Sequence, residues 1–273
     1  MMIHSDWHIH SDASYDSQLP VEEIARNAKS FGFYKFGITD HVNYNDRKFL
    51  ADFEASARNI TKTKQYWDNP IFGVELTPIE KNLFDYIAEH GDGEGFAESN
   101  CGYGIELALS KEELVAAGVR YAIGAAHWRI DPAKSYSDMQ ATLAEWHRQQ
   151  LWLACDSRVT ILGHPWYNGS GMWYSDFALI PRSMNMELAA ALKENGKFVE
   201  CNSHFFISPK TDENFRHRYA EFLRELFEMG IPVTYGSDSH NSYVDKHIAV
   251  EKYLLAAGFA DGDLSDLGEE DFW

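Results

Sequence analysis

Short apolar runs alternate along the chain with longer amphipathic segments. Each run is typical of a buried strand, and each longer segment has the apolar spacing of a helix. The predicted strands cover 3–8, 34–39, 71–76, 121–126, 159–163, 197–201 and 232–236. The predicted helices cover about 20–31, 46–66, 135–154, 183–195, 212–228 and 245–257. This alternation predicts a single α/β domain over 1–273 with a parallel sheet.

Three segments interrupt the alternation. An insertion at about 77–120 is rich in glycine and acidic residues, and a loop over 165–182 carries Trp166, Tyr167, Trp173 and Tyr174. Both follow the carboxyl ends of predicted strands, where α/β barrels place their active-site loops. Each is either a lid over a substrate or a surface excursion with local packing. The tail at about 258–273 is acidic, and we interpret it as a solvated end.

Composition narrows the class of protein. Against 42 Asp and Glu residues stand 24 Lys and Arg, which gives a net charge of −18. This balance disfavours binding to long nucleic acids and to anionic membranes. We find neither a long apolar span nor a secretory signal pattern. The three cysteines are odd in number and form no CxxC pair, so we expect a reducing, cytoplasmic environment.

Metal-ligand residue types follow the predicted strands. They are His8, His10, His41, Glu75, His127, His164, Glu200, Asp238 and His240. Because the carboxyl ends of parallel strands meet at one edge of a sheet, these side chains are expected to converge there. Taken singly, each histidine is equally typical of a loop or a core, but chance does not explain the whole set.

Imidazole and carboxylate together are the ligands of Zn, Fe and Mn. His8 and His10 share one face of an extended chain, so they can hold one ion. With Asp16 added, the set exceeds what a single ion can use. We therefore predict two or three divalent ions, with Glu75 bridging neighbouring ions. No cysteine belongs to the set, which favours an open hydrolytic site over a structural zinc.

Such ions would make the site cationic although the protein is acidic, so a compact phosphate monoester would be attracted. The expected reaction is attack on phosphorus by a hydroxide that a metal ion carries. Glu75 and Asp238 are the candidate catalytic residues. The expected partner is therefore a small phosphorylated substrate, and the sequence leaves the oligomeric state open.

The segments DWHIH, ITDH, GVEL, GAAHW, LGHPW and GSDSH resemble the motifs of the PHP family. This family is named for polymerase and histidinol phosphatase domains, and the resemblance covers about 1–257. It implies a distorted (β/α)7 barrel and three metal positions. The first would use His8, His10, Glu75 and Asp238. The second would use Asp16, His41 and His240, with Asp12 as a rival for Asp16. The third would use Glu75, His127 and His164.

The sixth predicted strand, 197–201, and residues that follow predicted strands supply further candidate site residues. The segment VECNS resembles strand 6 of histidinol-phosphate phosphatases, so Glu200 either supports a metal ligand or pairs with a basic residue. A phosphate that metals do not fully hold needs an arginine or a histidine. Arg129, His204 and Arg182 are the candidates for binding it, although each is also typical of an ordinary surface.

The resulting hypothesis is a metal-dependent phosphoric monoester hydrolase. Histidinol phosphate, and hence histidine biosynthesis, is the first substrate to test by family analogy. A nuclease or nucleotide phosphodiesterase of the same family is an alternative, as is a non-catalytic metal-binding domain. An amidohydrolase also begins with HxH, but it would have an eighth strand and a lysine where His127 stands.

Overall fold

Seven parallel strands form a nearly closed barrel in the computed structural model, which describes residues 2–273 except 44–46, 65, 68–69, 92, 98–99, 103, 129 and 131–137. Their order is β1 (Ser5–Asp6), β2 (Lys35–Ile38), β4 (Ile71–Leu76), β7 (Tyr121–Gly124), β8 (Ile161–Leu162), β9 (Phe198–Asn202) and β10 (Val233–Gly236). A short strand, β3 (His41–Val42), follows β2 and pairs with β4. The segment after β1 closes the ring, because the Trp7 amide donates to the Tyr235 carbonyl at 3.0 Å. The prediction of a distorted (β/α)7 barrel is confirmed.

Helices cover the outside of the barrel between these strands. The predicted ones correspond to α1 (Val21–Phe31), α2 (Arg47–Thr63), α5 (Met139–Cys155), α6 (Arg182–Glu194), α8 (Glu213–Glu228) and α9 (Lys246–Ala256). Pro20 precedes α1, and acidic residues occupy its first turn, as the helix dipole favours. A four-residue helix, α7 (His204–Ile207), was not predicted.

The insertion at 77–120 has secondary structure of its own. It contains the antiparallel pair β5 (Ile79–Glu80) and β6 (Ile105–Glu106), and the helices α3 (Lys81–His90) and α4 (Lys111–Ala116). Ser110 and Glu113 form a capping box at the start of α4. The periodic pattern in each of these elements is too short to distinguish the element from a loop in the sequence.

Large side chains fill the barrel interior. Tyr121 is fully buried there, and its hydroxyl donates to the Trp7 carbonyl at 2.6 Å. Its ring fits because Gly37 and Gly73 have no side chains: a Cβ at either position would lie within 3 Å of the ring. The interior below the carboxyl ends is therefore packed, which leaves the rim as the place for a site.

The carboxyl-terminal tail closes the other end of the barrel. Leu267 is fully buried in a cluster with Trp7 and Tyr121, and the Phe272 ring lies 6.4 Å from that of Trp7. The Ser265 amide donates to the Val233 carbonyl at 2.7 Å. The interpretation of 258–273 as a solvated end is wrong for this part, because its few apolar residues pack despite the acidic residues around them.

Within the described ranges, no helix combines the length and the apolar character that crossing a bilayer requires.

Candidate metal centre

The predicted ligand-type side chains converge on Glu75, which β4 holds at the carboxyl rim and which is fully buried. One of its oxygens, Oε2, lies 3.3 Å from His8 Nε2, 3.4 Å from His10 Nε2 and 2.9 Å from His41 Nδ1. The other, Oε1, lies 3.0 Å from His164 Nε2 and 3.3 Å from His127 Nε2. A single carboxylate thus faces five imidazoles, which come from four segments that are distant in sequence.

The first group consists of His8, His10, Glu75 and Asp238. His8 Nε2 lies 3.1 Å from His10 Nε2, and Asp238 Oδ1 lies 3.6 and 3.4 Å from those two nitrogens. Ligands about 2.0–2.1 Å from a tetrahedral ion lie roughly 3.3–3.4 Å from one another. The separations are close to that spacing, so His8, His10 and Glu75 are placed to hold one cation, and Asp238 lies beside the two histidines.

The second group surrounds Asp16. Its Oδ2 lies 3.2 Å from His41 Nε2 and 3.3 Å from His240 Nε2, and His10 offers a further ligand atom nearby. The rival residue is occupied elsewhere, because Asp12 accepts a hydrogen bond from Asn59 Nδ2 at 2.7 Å. Between the two candidates, the structure therefore places Asp16 with the histidines.

The third group lies on the Oε1 side of Glu75. His127 and His164 both reach this oxygen, and His41 also lies within ligand range of Glu75 and His127. His41 therefore stands between the second and third groups, a shared position that the family pattern did not imply. The Thr77 hydroxyl lies 3.0 Å from His127 Nδ1, which leaves Nε2 facing the site.

Glu200 supports the cluster from below. Its Oε1 accepts from His8 Nδ1 at 2.7 Å, and its Oε2 accepts from the His164 backbone amide. A carboxylate on the outer nitrogen of a metal-binding histidine fixes the ring orientation and raises its basicity. Gly236 makes room for this contact, because a Cβ there would lie 1.9 Å from Glu200 Oε1. Among the described residues, neither lysine nor arginine pairs with Glu200, which was the alternative considered for it.

The backbone is strained where two strands deliver their ligands. His164, after β8, has φ 24°, and Asp238, after β10, has φ 50°. Trp166, two residues after His164, has φ 66°. Non-glycine residues rarely adopt this region, and such strain is often concentrated at functional sites.

Burial and mutual attraction set the charges of the cluster. Burial opposes protonation of His41, but Glu75 and Asp16 outweigh it and raise its pKa to about 10. Burial, together with His240 and His41, lowers the pKa of His10 to about 3. For Glu75 and Asp238, burial is outweighed by the surrounding histidines, which hold both carboxyl pKa values well below their usual range. At neutral pH, Glu75 and Asp238 are therefore ionised, His10 is neutral, and His41 carries a proton.

Several polar atoms of the cluster have no hydrogen-bond partner in the part of the chain that the structure describes. They are His10 Nδ1, His41 Nδ1, His164 Nδ1 and Glu75 Oε2. His41 Nδ1 and Glu75 Oε2 lie 2.9 Å apart, yet they do not meet in hydrogen-bond geometry. Unpaired buried polar atoms are costly, and a shared cation would compensate for those that face the site. The donor set, imidazole with carboxylate, fits Zn, Mn or Fe.

A cavity of about 370 Å³ opens above the cluster. Its walls include Tyr15, Trp128 and Tyr167, together with ligand-type residues. The Tyr167 ring lies 4.9 Å from that of His164 and 5.3 Å from that of His204. The loop over 165–182 therefore does supply one wall. This volume suits a small molecule.

The three predicted phosphate-binding residues have different positions. His204 lies behind Tyr167, close to the cavity, and its backbone amide donates to Asn202 Oδ1 at 2.8 Å. Arg182 begins α6, is exposed, and pairs with Glu225, so the structure does not bring it to the cavity. Arg129 lies outside the described residues.

Two supporting residues, which were not predicted, each follow a ligand-type position by two. Thr77 comes two residues after Glu75 and contacts His127. Asn202 comes two residues after Glu200 and donates from Nδ2 to Asp238 Oδ2 at 3.2 Å. Alternate residues of an extended chain share one face, so this spacing was a usable signal.

Comparison with known proteins identifies the same family as the motifs. The model of the PHP domain matches residues 6–204. A protein of Acetivibrio thermocellus named "Probable phosphatase" is 27% identical over 241 residues, which cover 87% of this chain and 80% of that protein. A "Probable histidinol-phosphatase" of Thermotoga maritima is 32% identical over 88 residues, which cover 30% of this chain and 36% of that protein.

A solved structure shares the fold. The histidinol phosphate phosphatase of Lactococcus lactis, crystallised with zinc, L-histidinol and phosphate, superposes with a TM-score of 0.63. The match covers 98% of each chain at 18% sequence identity. At this identity the likeness establishes a common architecture over essentially the whole chain.

Proposed function

The chain belongs to the PHP domain family, and on that basis we propose that it is a metal-dependent phosphatase that hydrolyses a small phosphomonoester. The observation that carries the proposal is the convergence of five imidazoles on the two oxygens of Glu75. Relatives named as phosphatases support the same class of reaction.

The proposed ligand sets follow the three groups. The first ion would be held by His8, His10, Glu75 and Asp238. The second would be held by Asp16, His41 and His240, and the third by Glu75, His127 and His164. Ions held at such neighbouring positions would supply a nucleophile at neutral pH and would neutralise the charge that develops on the phosphoryl oxygens.

The surrounding residues would prepare the site for this chemistry. Glu75 and Asp238, both ionised, would hold the ions, while Glu200 and Thr77 would fix the orientation of His8 and His127. Burial, with Asp238 and Glu75 nearby, raises the pKa of Tyr167. Its phenol therefore stays protonated and can donate a hydrogen bond to the substrate.

The cavity restricts the substrate. A volume of about 370 Å³ excludes a long nucleic acid strand and suits a small monoester. Of the described residues that line it, none is Lys or Arg, so bound ions must compensate most of the phosphate charge. Its aromatic walls fit a leaving group that contains a ring. L-histidinol phosphate carries an imidazole and is the substrate to test first.

The experiment begins with an elemental count of metals per chain on protein purified without chelator. Activity is then compared on p-nitrophenyl phosphate, on its bis ester, and on L-histidinol phosphate, with Zn, Mn or Fe added. We expect two or three ions per chain and faster hydrolysis of the monoesters. Preference for the bis ester would instead indicate a phosphodiesterase, and no phosphate release from any substrate would refute the proposal.

The Glu75→Gln substitution distinguishes a catalytic metal site from a metal-binding domain without catalytic activity. Loss of the shared carboxylate is expected to lower kcat/KM at least about 100-fold, because several ligands lose their common anion. Glu194→Gln, on the exposed end of α6, is the matched control and should keep full activity. Undiminished hydrolysis by Glu75→Gln would favour a domain that binds metal without using it in catalysis.

A further inference from the structure

A larger cavity, of about 830 Å³, lies at the amino-terminal end of the barrel. Residues just before or at the start of β2, β4 and β7 line it, together with the tail that contains Leu267 and Phe272. No described residue that lines it is a candidate metal ligand. It is therefore a separate feature at the opposite end of the strands. We call it the amino-terminal cavity.

Cations concentrate at this cavity. Lys29, Lys35, Lys64 and Arg120 line it. Among the described residues that line it, Glu269 is the one carboxylate, and it pairs with Arg120 at 2.8 Å. In the whole chain, by contrast, acidic residues outnumber basic ones by 42 to 24. The net charge of the lining residues is thus positive, whereas that of the protein is negative. A local positive field of this kind attracts anions.

The lysines lack carboxylate partners in the described part of the chain. Lys29 Nζ donates to the Tyr66 carbonyl at 2.9 Å, and Lys35 Nζ to the Leu267 carbonyl at 3.1 Å. Lys64 is exposed and, among the described residues, has neither a hydrogen bond nor an ion pair. Their charges remain available to an anion from solution, because carbonyl groups do not neutralise them.

Aromatic rings form the walls between these cations. The Trp67 ring packs edge-on against Phe36 at 4.8 Å, and Lys29 Nζ lies 5.7 Å from its centre. The Arg120 guanidinium lies 4.6 Å from the centre of the Phe272 ring. A cavity with aromatic walls and converging charges suits a ligand that has an apolar ring and anionic substituents.

We propose that the amino-terminal cavity binds a small aromatic molecule that carries one or two anionic groups. The ring packs beside Trp67 and Phe272, and the anionic groups meet Lys29, Lys35 and Lys64. The volume lies within the range of ordinary small-molecule sites. Because tail and barrel both line the cavity, such a ligand also stabilises their contact and raises the melting temperature.

Naphthalene disulfonate is the probe, since it has a ring and two anionic groups that a phosphatase cannot remove. Its binding to the metal-loaded enzyme is measured by isothermal titration calorimetry and by thermal shift, with inorganic sulfate as the probe without a ring. We expect sulfate to bind at least about tenfold more weakly than the probe, because it gains nothing from the aromatic walls.

Lys64→Glu tests the charges, and Lys193→Glu on α6 is the matched control. Both lysines are exposed and have no ion pair among the described residues. Lys64→Glu should weaken probe binding about fivefold or more, and Lys193→Glu should leave it unchanged. Hydrolysis of p-nitrophenyl phosphate should be the same in all three proteins.

Any of three results would overturn the proposal. The probe does not bind, the Lys64→Glu and Lys193→Glu variants bind it with equal affinity, or sulfate binds as tightly as the probe. These outcomes concern binding alone, so they are independent of whether the protein proves to be a phosphatase.

Discussion

The carboxylate of Glu200 accepts a hydrogen bond from His8 Nδ1 at 2.7 Å, across 192 positions of sequence. The contact sets the tautomer of His8, so that Nε2 faces Glu75 and Asp238. Glu200, which is not itself a candidate metal ligand, thereby determines how the ring of a candidate ligand, His8, points.

Glu200→Gln is expected to weaken metal binding about 10–100-fold, because a neutral amide polarises the His8 ring less than a carboxylate does. The substitution keeps the size of the side chain, so the barrel should remain folded. Titration of the chelator-treated protein with Zn²⁺ measures the effect, and circular dichroism checks the fold. Unchanged affinity would show that Glu200 has only a packing role.

Gly236→Ala should disrupt the site from outside the ligand set. The added Cβ would lie 1.9 Å from Glu200 Oε1 and 2.7 Å from His8 Cβ, so both side chains must move. We expect activity to fall about tenfold or more, with a destabilisation of about 1–3 kcal/mol from overpacking. Gly93→Ala is the control, since its Cβ would meet only ordinary contacts at 3.4 Å. Equal behaviour of the two variants would contradict the close approach.

The stabilisation that metal gives should increase with pH. In the metal-free protein, Glu75 and Asp16 raise the pKa of His41 from 6.5 to about 10. The stability that this proton contributes is complete below the unfolded pKa of 6.5 and is lost as the pH rises toward 10. Mn²⁺ binds the neutral ring, so protons compete with it across this range.

Thermal shift with and without saturating Mn²⁺ measures this effect between pH 6.5 and 9. We expect the gain in Tm to be larger at the upper end, and about 5–10 °C where the ion exceeds its Kd about a hundredfold. The chelated protein is the control at each pH. A gain that stays constant or declines with rising pH would speak against His41 as a ligand.

The Leu267→Ala substitution should lower the stability of the protein without changing its metal content or activity. Leu267 is fully buried at the amino-terminal end of the barrel, so its truncation should cost about 2–5 kcal/mol and lower Tm by about 4–10 °C. Metal content and kcat should stay unchanged below the melting temperature, because the cluster lies at the other end. Leu255→Ala, at a side chain that is 59% exposed, is the control and should melt like the parent protein. Loss of metal from folded Leu267→Ala would contradict the separation of the two ends.

The sequence by itself determined the fold class and the residues from which a site could be built. The strand IFGVEL is apolar at nearly every position, which marks a strand buried on both faces, and its range Ile71–Leu76 was predicted as the structure has it. His8, His41, Glu75 and Asp238 were identified because a parallel barrel brings the carboxyl ends of all strands to one rim.

The tertiary structure alone decided the pairings across the ring. These pairings depend on the directions of side chains from distant segments. Glu200 contacts His8, Asp16 and not Asp12 faces His41, and Arg182 pairs with Glu225 away from the cavity. The tail shows the same limit, because local composition reports its acidic residues but not the apolar end of the barrel that Leu267 covers. Periodicity is a property of neighbouring residues, whereas these contacts join residues that only the closed barrel brings together.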